Sequence, residues 1–368
     1  YRRRNLTSTT PLNLLGKVYQ QAGRQDEARQ SFEKALTLDA GDPAANHNLA
    51  QIAVAGGDLT AARQYYSTLL EYHQDHLPAL MQLALLDAKE KKEKSLVGHL
   101  DRAIRAHPDA LAPRLLLGRY HLSKGRPEKV APLLNNLDEA QKQSPQALQL
   151  LALAQLSEKE HGAAQFTLEQ LMESTPDSAA LHHMMAMAAA GSDNIERTEQ
   201  ELSRAIALDE DYLPSRLALA RLALAQGSTD EFEQQITALQ SLAPNNPDVL
   251  LLRAASANRQ GNSAAAVKLA GQAFTLAPEV NTVLALGSYQ QSAGDHSSAL
   301  QLYRTWINEN PQDISVRMAL ANSLQIEQQA EKATTYYEEV LLLDPDNVVA
   351  LNNVAWYLRE ENPGKALE

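Results

Sequence analysis

Small and apolar residues recur along this chain about every 34 positions. The eighth position of each repeat is Gly or Ala in all eleven repeats, and the seventh is Leu in eight of them. Each repeat reads as an amphipathic helix, a short turn centred on Gly or Gln, a second helix, and a stop rich in Asp, Asn and Pro. The repeats begin at residues 9, 43, 77, 111, 145, 179, 213, 247, 280, 314 and 348.

The recurring positions have a direct physical reading. Two helices approach closely only where the facing side chains are small, so Gly or Ala at position 8 and Ala at position 20 should lie at the crossing. Leu at position 7 and Phe, Tyr or Leu at position 24 fill the space around it. Pro at position 32 ends the second helix, because it has no amide hydrogen and restricts the residue before it. One such helix pair cannot bury its own apolar face, so the pattern predicts an all-α array of stacked pairs.

The repeat at 314–347 carries these features at Leu320, Ala321, Ala333, Tyr337 and Pro345. On these residues the chain resembles the tetratricopeptide repeat (TPR) family over residues 9–368. The resemblance implies an all-α, right-handed superhelical TPR solenoid of stacked helix-turn-helix repeats. We expect an N-terminal tail at 1–8, ten complete units over 9–347, and a truncated eleventh unit at 348–368.

Several repeats depart from this pattern. Arg253 stands at an apolar seventh position, and Thr198 replaces the Ala of position 20 in a repeat with an early turn at Gly191-Ser192. Leu96 and Val130 replace that Ala in the repeats that begin at 77 and 111. We therefore expect looser or shifted packing at these places.

A finer resemblance rests on the Ala-, Gln- and Leu-rich composition and on the segment ALNNVAWYL at 350–358. These features are similar to the bacterial TPR lipoproteins of exopolysaccharide loci that are associated with the exosortase (PEP-CTERM) sorting system. That resemblance implies a periplasmic array, anchored by lipid through a segment upstream of the sequence in hand. The alternatives are a cytoplasmic TPR adaptor or co-chaperone, and the substrate-recruiting TPR region of a larger glycosyltransferase.

Composition narrows the classes of partner. The chain has 45 acidic and 33 basic residues, a net charge of −12, and a pI near 5.4. Nucleic acid is not an expected partner, because phosphate binding requires a basic face. The basic run Arg2-Arg3-Arg4 is interpreted as a solvated tail. No Cys is present, and no run of 18 apolar residues predicts direct membrane insertion. Because the first residue is Tyr, we expect a piece of a longer or processed protein.

The residues that suggest chemistry have structural explanations. Common phosphate-binding, dinucleotide-binding, zinc-protease and serine-hydrolase motifs are absent, so we predict no enzyme activity and no cofactor. The segment LHHMMAMAAAG at 181–191 holds soft ligands that suit copper. However, His182 and His183 should point about 100° apart on a helix, which disfavours a shared metal ion. His73 and His76 are interpreted as features of a repeat boundary, and Asp344-Pro345-Asp346 as a turn.

First-helix positions 2, 5, 6, 9, 12 and 13 line the concave groove in repeats of the resembled family. In the middle repeats these positions are mostly apolar. The pattern departs from the carboxylate clamp of chaperone-tail-binding TPR proteins, since Pro78 and Gln82 stand at two of its cationic slots. An asparagine ladder is also missing. The predicted groove residues are Leu115, Leu116, Arg119, Leu150, Leu153, His183, Met184, Met187, Leu217 and Arg221.

Two interpretations of this apolar groove stay open at the level of sequence. It could bind a protein or peptide ligand as a helix or extended segment, with Arg119 and Arg221 favouring an acidic group. Alternatively, curvature of the array could bury these side chains between neighbouring helices. We also expect Trp356 and Tyr357 to be exposed on an uncapped C-terminal end, which makes a dimer through that end possible.

Overall fold

The computed structural model describes residues 8–361, which form 22 α-helices, one short 3-10 helix and no strand. Two compact units are present: Tyr1–Asp177 with Met184–Thr198, and Ser178–His183 with Glu199–Glu368. Most of the expected N-terminal tail, including the Arg2-Arg3-Arg4 run, and residues 362–368 of the expected truncated repeat lie outside the described residues. The described residues form an all-α array of helix pairs, as the sequence predicts.

The first unit consists of helix pairs in which each helix packs on the next along the chain. Its first helices have 12 or 13 residues, and its regular second helices have 14. A 3-10 turn at Pro127–Lys129 precedes the eighth helix. The helices are α1 Thr10–Gln21, α2 Gln25–Leu38, α3 Pro43–Ala55, α4 Leu59–Tyr72, α5 Leu77–Lys89, α6 Glu93–Ala106, α7 Leu111–Ser123, α8 Val130–Leu134, α9 Glu139–Lys142, α10 Pro145–Ser157 and α11 His161–Ser174.

Two helices, α12 Ala179–Gly191 and α13 Ile195–Leu208, contribute residues to both units. The second unit also contains helix pairs. Its helices are α14 Leu213–Gln226, α15 Thr229–Leu242, α16 Pro247–Arg259, α17 Ser263–Leu276, α18 Val280–Ser292, α19 His296–Glu309, α20 Ile314–Ile326, α21 Ala330–Leu343 and α22 Val348–Glu361. In these pairs α14 packs on α15 and α16 packs on α17.

Each helix pair is held together where a small residue meets a bulky one. A Cβ added to Gly16 would lie 2.5 Å from Cε1 of Phe32, whose ring is fully buried, and a Cβ on Gly287 would collide with Tyr303. These partners stand at positions 8 and 24 of their repeats. The small residue at position 8 therefore lets the second helix bring an aromatic ring directly against the first helix.

The turn within each complete repeat has the same backbone conformation. Position 15 adopts a positive φ in all ten, and it is Gly in six of them. The other four carry side chains there: Lys91, Lys159, Asp193 and Gln328. A left-handed residue ends the first helix and reverses the chain within three residues, which is the role usually reserved for Gly.

Asp and Asn at the repeat boundaries begin the next helix. The side chain of Asp42 accepts a hydrogen bond from the Ala45 amide at 2.7 Å, and Asp313 does the same for Val316 at 3.0 Å. Asn347 caps α22 in the same way. This capping explains the Asp-, Asn- and Pro-rich stops as helix N-caps, in agreement with the turn interpretation of Asp344-Pro345-Asp346.

One repeat departs strongly from the others. After α7, the region of a second helix is divided into Pro127–Lys129, α8 and α9, which have three, five and four residues, whereas α6 is one continuous helix of 14 residues. Pro127 opens the 3-10 turn and Pro132 lies within α8, so the backbone lacks two amide donors there. The shifted packing expected in the repeat of Val130 is thus present, as a divided second helix. Val130 itself is fully buried.

The other expected irregularities are weaker than predicted. Leu96 is buried within a regular α6, because Leu fits where the neighbouring first helix presents Ala84. Thr198 is also buried, and its hydroxyl donates to the backbone oxygen of Asn194. The turn at Gly191 is not early, since α12 has 13 residues like most other first helices.

Candidate partner-binding surface

Three of the ten predicted groove residues are core residues. Leu150 is 2% exposed and packs against Gly118 of the preceding repeat, while Met184 and Leu217 are each 7% exposed. Leu217 belongs to a cluster with Phe232 of its own second helix. These three stand at positions 5 and 6, which turn toward neighbouring helices, so a ligand cannot reach their side chains. For them the buried interpretation is the correct one.

Three more predicted residues, Leu115, Leu116 and His183, are only partly exposed. His183 already has polar and aromatic partners, because its Nδ1 lies 3.1 Å from the Ser215 hydroxyl and its ring meets Tyr212 edge-on. Burial lowers the pKa of His183 below its usual value, so the neutral ring is favoured. His183 therefore contributes to packing in the second unit.

Arg221 is engaged within the protein. Its Nη2 lies 2.6 Å from Oδ1 of Asp248, which stands at position 2 of the next repeat. Both side chains are about half exposed, so the pair is solvent-screened. The guanidinium of Arg221, predicted from the sequence to favour an acidic ligand, thus already has the carboxylate of Asp248 as its partner.

The remaining predicted residues, Arg119, Leu153 and Met187, are exposed and all lie in the first unit. Leu153 is 39% exposed and Met187 is 50% exposed. Each stands at position 9 of its repeat, and Leu85, 43% exposed, occupies the same position one repeat earlier. We call Leu85, Arg119, Leu153 and Met187 the ligand-facing surface.

The helical turn explains why this surface is exposed. Position 9 lies two residues beyond the core position 7, which places it about 200° away around the helix. Leu83 and Leu117 at position 7 are each 2% exposed. Sequence reasoning missed Leu85, although the signal was present, since the same position had been considered in the three repeats that follow.

The ligand-facing surface is regularly spaced. Its residues recur every 34 positions on successive first helices, and α7 packs directly on α10. Packed helices have axes 8–10 Å apart, so Arg119 on α7 and Leu153 on α10 should be separated by roughly 10 Å. Seven residues of a partner helix rise about 10.5 Å, and three residues of an extended strand rise about 10 Å. Either type of segment can match this spacing.

The polar clusters of the described region have structural roles. Asp87 is fully buried between Arg63, at 2.8 Å, and the Nδ1 of His99, at 2.8 Å, and so joins α4, α5 and α6. His182 lies 2.6 Å from Glu201 and is buried. Among residues 8–361, no three His, Asp or Glu side chains are grouped so as to hold a metal ion. Over the same residues, every helix is too short or too polar to cross a bilayer.

Stacked helix pairs with an exposed apolar row along their first helices define a helical-repeat scaffold of the protein-interaction class. Residues 19–85 and 314–347 match models of the tetratricopeptide repeat. Tetratricopeptide repeat protein 1 of Schizosaccharomyces pombe is 26% identical over 114 residues. That alignment covers 30% of this chain and 11% of the relative, so the chain spans only a small part of that protein.

Solved structures with the same fold are much more distant in sequence. The Cut9 and Hcn1 hetero-tetramer of the APC/C is similar with a TM-score of 0.54 and 15% identity, over 98% of this chain and 76% of that chain. Yeast Tom70 is similar with a TM-score of 0.50 and 14% identity, over 97% of this chain and 96% of that chain. At such identities the likeness concerns the fold alone.

Proposed function

We propose that this chain is a non-catalytic scaffold that binds a segment of a partner protein on the ligand-facing surface. The observation that carries the proposal is the exposed row of Leu85, Leu153 and Met187, at a position that could equally have been polar. Exposed side chains at the same position of successive first helices, three of them apolar and one cationic, suit a helix or strand with periodic apolar residues. Met adds adaptability, because its thioether side chain can adjust to different partner shapes.

The test is to exchange the apolar anchors for charges. The double variant Leu153→Glu and Met187→Glu should lose partners that the unchanged chain captures from cells that produce it, identified by mass spectrometry. Because both side chains are exposed, the free energy of unfolding should change by no more than about 0.5 kcal/mol per site. Thermal denaturation followed by circular dichroism measures that change.

The matched control replaces exposed apolar residues of second helices in the same unit. Leu38 and Phe166 are 48% and 62% exposed, and the double variant Leu38→Glu and Phe166→Glu should keep all partners. If both double variants keep the same partners, the ligand-facing surface is not the binding site. A large loss of stability in the first variant would instead favour the buried interpretation of this row.

We further propose that the scaffold acts in bacterial exopolysaccharide or cell-envelope assembly, or in protein sorting, on the periplasmic side and held there by a lipid anchor. The support is the similarity of composition and of the segment at 350–358 to TPR lipoproteins of exopolysaccharide loci. Cell fractionation with an antibody against the chain tests this role. Detection in the periplasmic or membrane fraction supports it, whereas recovery only with cytosolic markers supports the adaptor alternative.

A dimer through the C-terminal end is a further element of the proposal. Leu342 is 84% exposed, Val348 is 67% exposed, and Trp356 is 59% exposed with Arg359 stacked over its ring. Such an apolar patch suits contact with a second copy. Light scattering should give a concentration-dependent dimer mass that Leu342→Glu with Val348→Glu reduces to the monomer mass. A monomer mass for the unchanged chain at all concentrations would contradict the dimer.

A further inference from the structure

The first unit carries three cations at groove positions of its first helices. Lys17 and Arg119 stand at position 9 and Lys89 stands at position 13, one turn after Leu85 on α5. We call Lys17, Lys89 and Arg119 the groove cations. All three are exposed, and none forms an ion pair within residues 8–361. No Asp or Glu stands at positions 2, 5, 6, 9, 12 or 13 of any repeat of this unit.

That distribution is unexpected in a chain with 45 acidic and 33 basic residues. Elsewhere in the same unit, cations commonly lie against carboxylates. These pairs are Arg24 with Glu27, Arg63 with Asp87 and Glu90, Lys92 with Glu90, Arg102 with Asp75, Lys124 with Glu93, Lys142 with Glu139, and Arg197 with Glu169. The groove positions of the first unit are thus locally positive on a protein that is negative overall.

The charge of Lys17 also acts on a residue of the next repeat. Burial lowers the pKa of His47 below its usual value, and the charge of Lys17 lowers it further. His47 stands at position 5 of the following repeat, so the ammonium of Lys17 acts toward the neighbouring first helix. Unpaired cations that act across repeats create a field in which an anionic group is favoured.

We infer that the partner segment is acidic as well as apolar, with carboxylates opposite Arg119 and Lys89 and apolar anchors on Leu85, Leu153 and Met187. This inference rests on the proposed function, since it names the chemistry of the ligand for the same surface. Arg119 lies in the row between Leu85 and Leu153. A ligand segment with one acidic residue between two apolar residues could therefore contact all three side chains. An Arg guanidinium suits this role, because its planar donors bind a carboxylate with two hydrogen bonds.

The geometry predicts the spacing of the ligand. If the segment is helical, the acidic residue lies about seven positions from the anchor on Leu85 and about seven from the anchor on Leu153. If it is extended, the separation is about three positions. In both cases the anchor for Met187 follows at the same interval. A basic segment is disfavoured, because it would place like charges beside unpaired cations.

The inference can be tested with a random peptide library displayed on phage and selected on the full chain. Selected peptides should be enriched in Asp and Glu over Lys and Arg, and their binding should require Leu153 and Met187. For one acidic peptide, the variant Arg119→Glu with Lys89→Glu should weaken binding about tenfold, measured by fluorescence polarisation. Raised salt should weaken the binding of the unchanged chain as well.

Lys34→Glu with Lys94→Glu is the matched control, because it changes the net charge equally at exposed second-helix positions. It should leave peptide affinity within about twofold, since exposed charges beyond a Debye length of about 10 Å are screened. If it weakens binding as much as the groove variant, only overall charge matters and the inference is wrong.

Failure of the inference and failure of the proposed function give different results. Peptides that require Leu153 and Met187 but show no acidic enrichment would overturn the acidic ligand and leave the apolar site standing. A selection that yields no peptide dependent on Leu153 and Met187 would contradict both.

Discussion

The repeats at 77–110 and 111–144 are neighbours with similar first helices and different second halves. In the first, α6 is a regular helix of 14 residues, and Leu100 at position 24 is fully buried against Ala84 and Leu117. In the second, α8 has five residues and α9 has four. Pro132 has no amide hydrogen for a helical hydrogen bond, and the helix that contains it ends two residues later, at Leu134.

The difference concerns the packing partner of the first helix. A first helix can pack its small residue at position 8 against the next repeat instead of against its own second helix. Gly16 in a regular repeat faces Phe32 of the second helix of the same repeat, whereas Gly118 faces Leu150 on α10 of the next repeat. A Cβ on Gly118 would lie 2.6 Å from Cδ2 of Leu150. Direct packing of α7 on α10 therefore positions two consecutive residues of the ligand-facing surface, Arg119 and Leu153.

The largest expected effect is a loss of stability that differs between the second half of the repeat at 77–110 and that of the repeat at 111–144. Leu100→Ala should cost about 2–5 kcal/mol, because a close-packed site cannot collapse around the cavity. Leu134→Ala, at the same position of the interrupted repeat, should cost less, since Leu134 already lines a cavity of about 180 Å³ beside α8. Hydrogen exchange of α6 and α8, followed by mass spectrometry, measures each loss locally. Equal losses would contradict the comparison.

A smaller effect should come from Gly118→Ala. The new methyl group would press on a Leu150 side chain that is only 2% exposed, and such overpacking costs about 1–3 kcal/mol. Replacing Gly in a helix returns up to about 1 kcal/mol, so we expect a net loss of about 1 kcal/mol. Urea denaturation measures it. A smaller cost of Gly118→Ala in a Leu150→Ala background than in the unchanged chain would confirm that α10 supplies the contact.

The starts of the two repeats should differ in their response to acid. Nδ1 of His76 accepts a hydrogen bond from the Ala79 amide at 3.3 Å and so caps α5. Burial, and then the charges of His73, His47 and His107, lower the pKa of His76 below its usual value of 6.5. Since the folded state prefers the neutral ring, this contribution to stability is present above pH 6.5. It is lost as the pH falls through the lowered value.

We therefore expect the first turn of α5 to lose hydrogen-exchange protection progressively as the pH falls below 6.5, the usual pKa of the imidazole. The first turn of α7, whose N-cap Ala110 has no titratable side chain, provides the internal reference. His76→Asn keeps a capping side chain without titration and should remove the acid sensitivity of α5. Acid sensitivity that persists in this variant would assign the effect to the other histidines.

The smallest effect is a gain. Gly98 lies inside α6, and a Cβ added there would meet no atom within 4 Å. Gly98→Ala should therefore stabilise the regular repeat by about 0.5–1 kcal/mol, opposite in sign to Gly118→Ala. Urea denaturation of both variants under the same conditions gives the contrast. A loss at Gly98 would mean that helix propensity does not govern this site.

Much of the fold was predictable, because each repeat places small, apolar and turn-forming residues at constant positions. The candidate site was only partly predictable. Position 9 side chains such as Leu153 are exposed, while position 6 side chains such as Leu150 are buried, and both belong to the apolar face read from sequence. Periodicity cannot separate two apolar positions that differ by a helical turn, since their burial depends on the next helix pair.

The pairing of charged side chains is a second property that the sequence did not reveal. Arg221 has a partner in Asp248, 27 residues later, on the first helix of the following repeat. Both residues of the pair are present in the sequence, and position 9 of one repeat lies near position 2 of the next. That proximity follows from how the repeats stack, so the sequence alone does not reveal the pair. By contrast, no acidic residue stands at a groove position near Arg119, which agrees with its lack of an ion pair in the described chain.

The left-handed turn at position 15 offers a route to protein engineering. Six complete repeats use Gly there, while Lys91, Lys159 and Gln328 hold the same backbone with a side chain that disfavours it. Substituting Gly at these sites would strengthen the array away from the ligand-facing surface. Thermal tolerance and partner selectivity could then be adjusted separately, one repeat at a time.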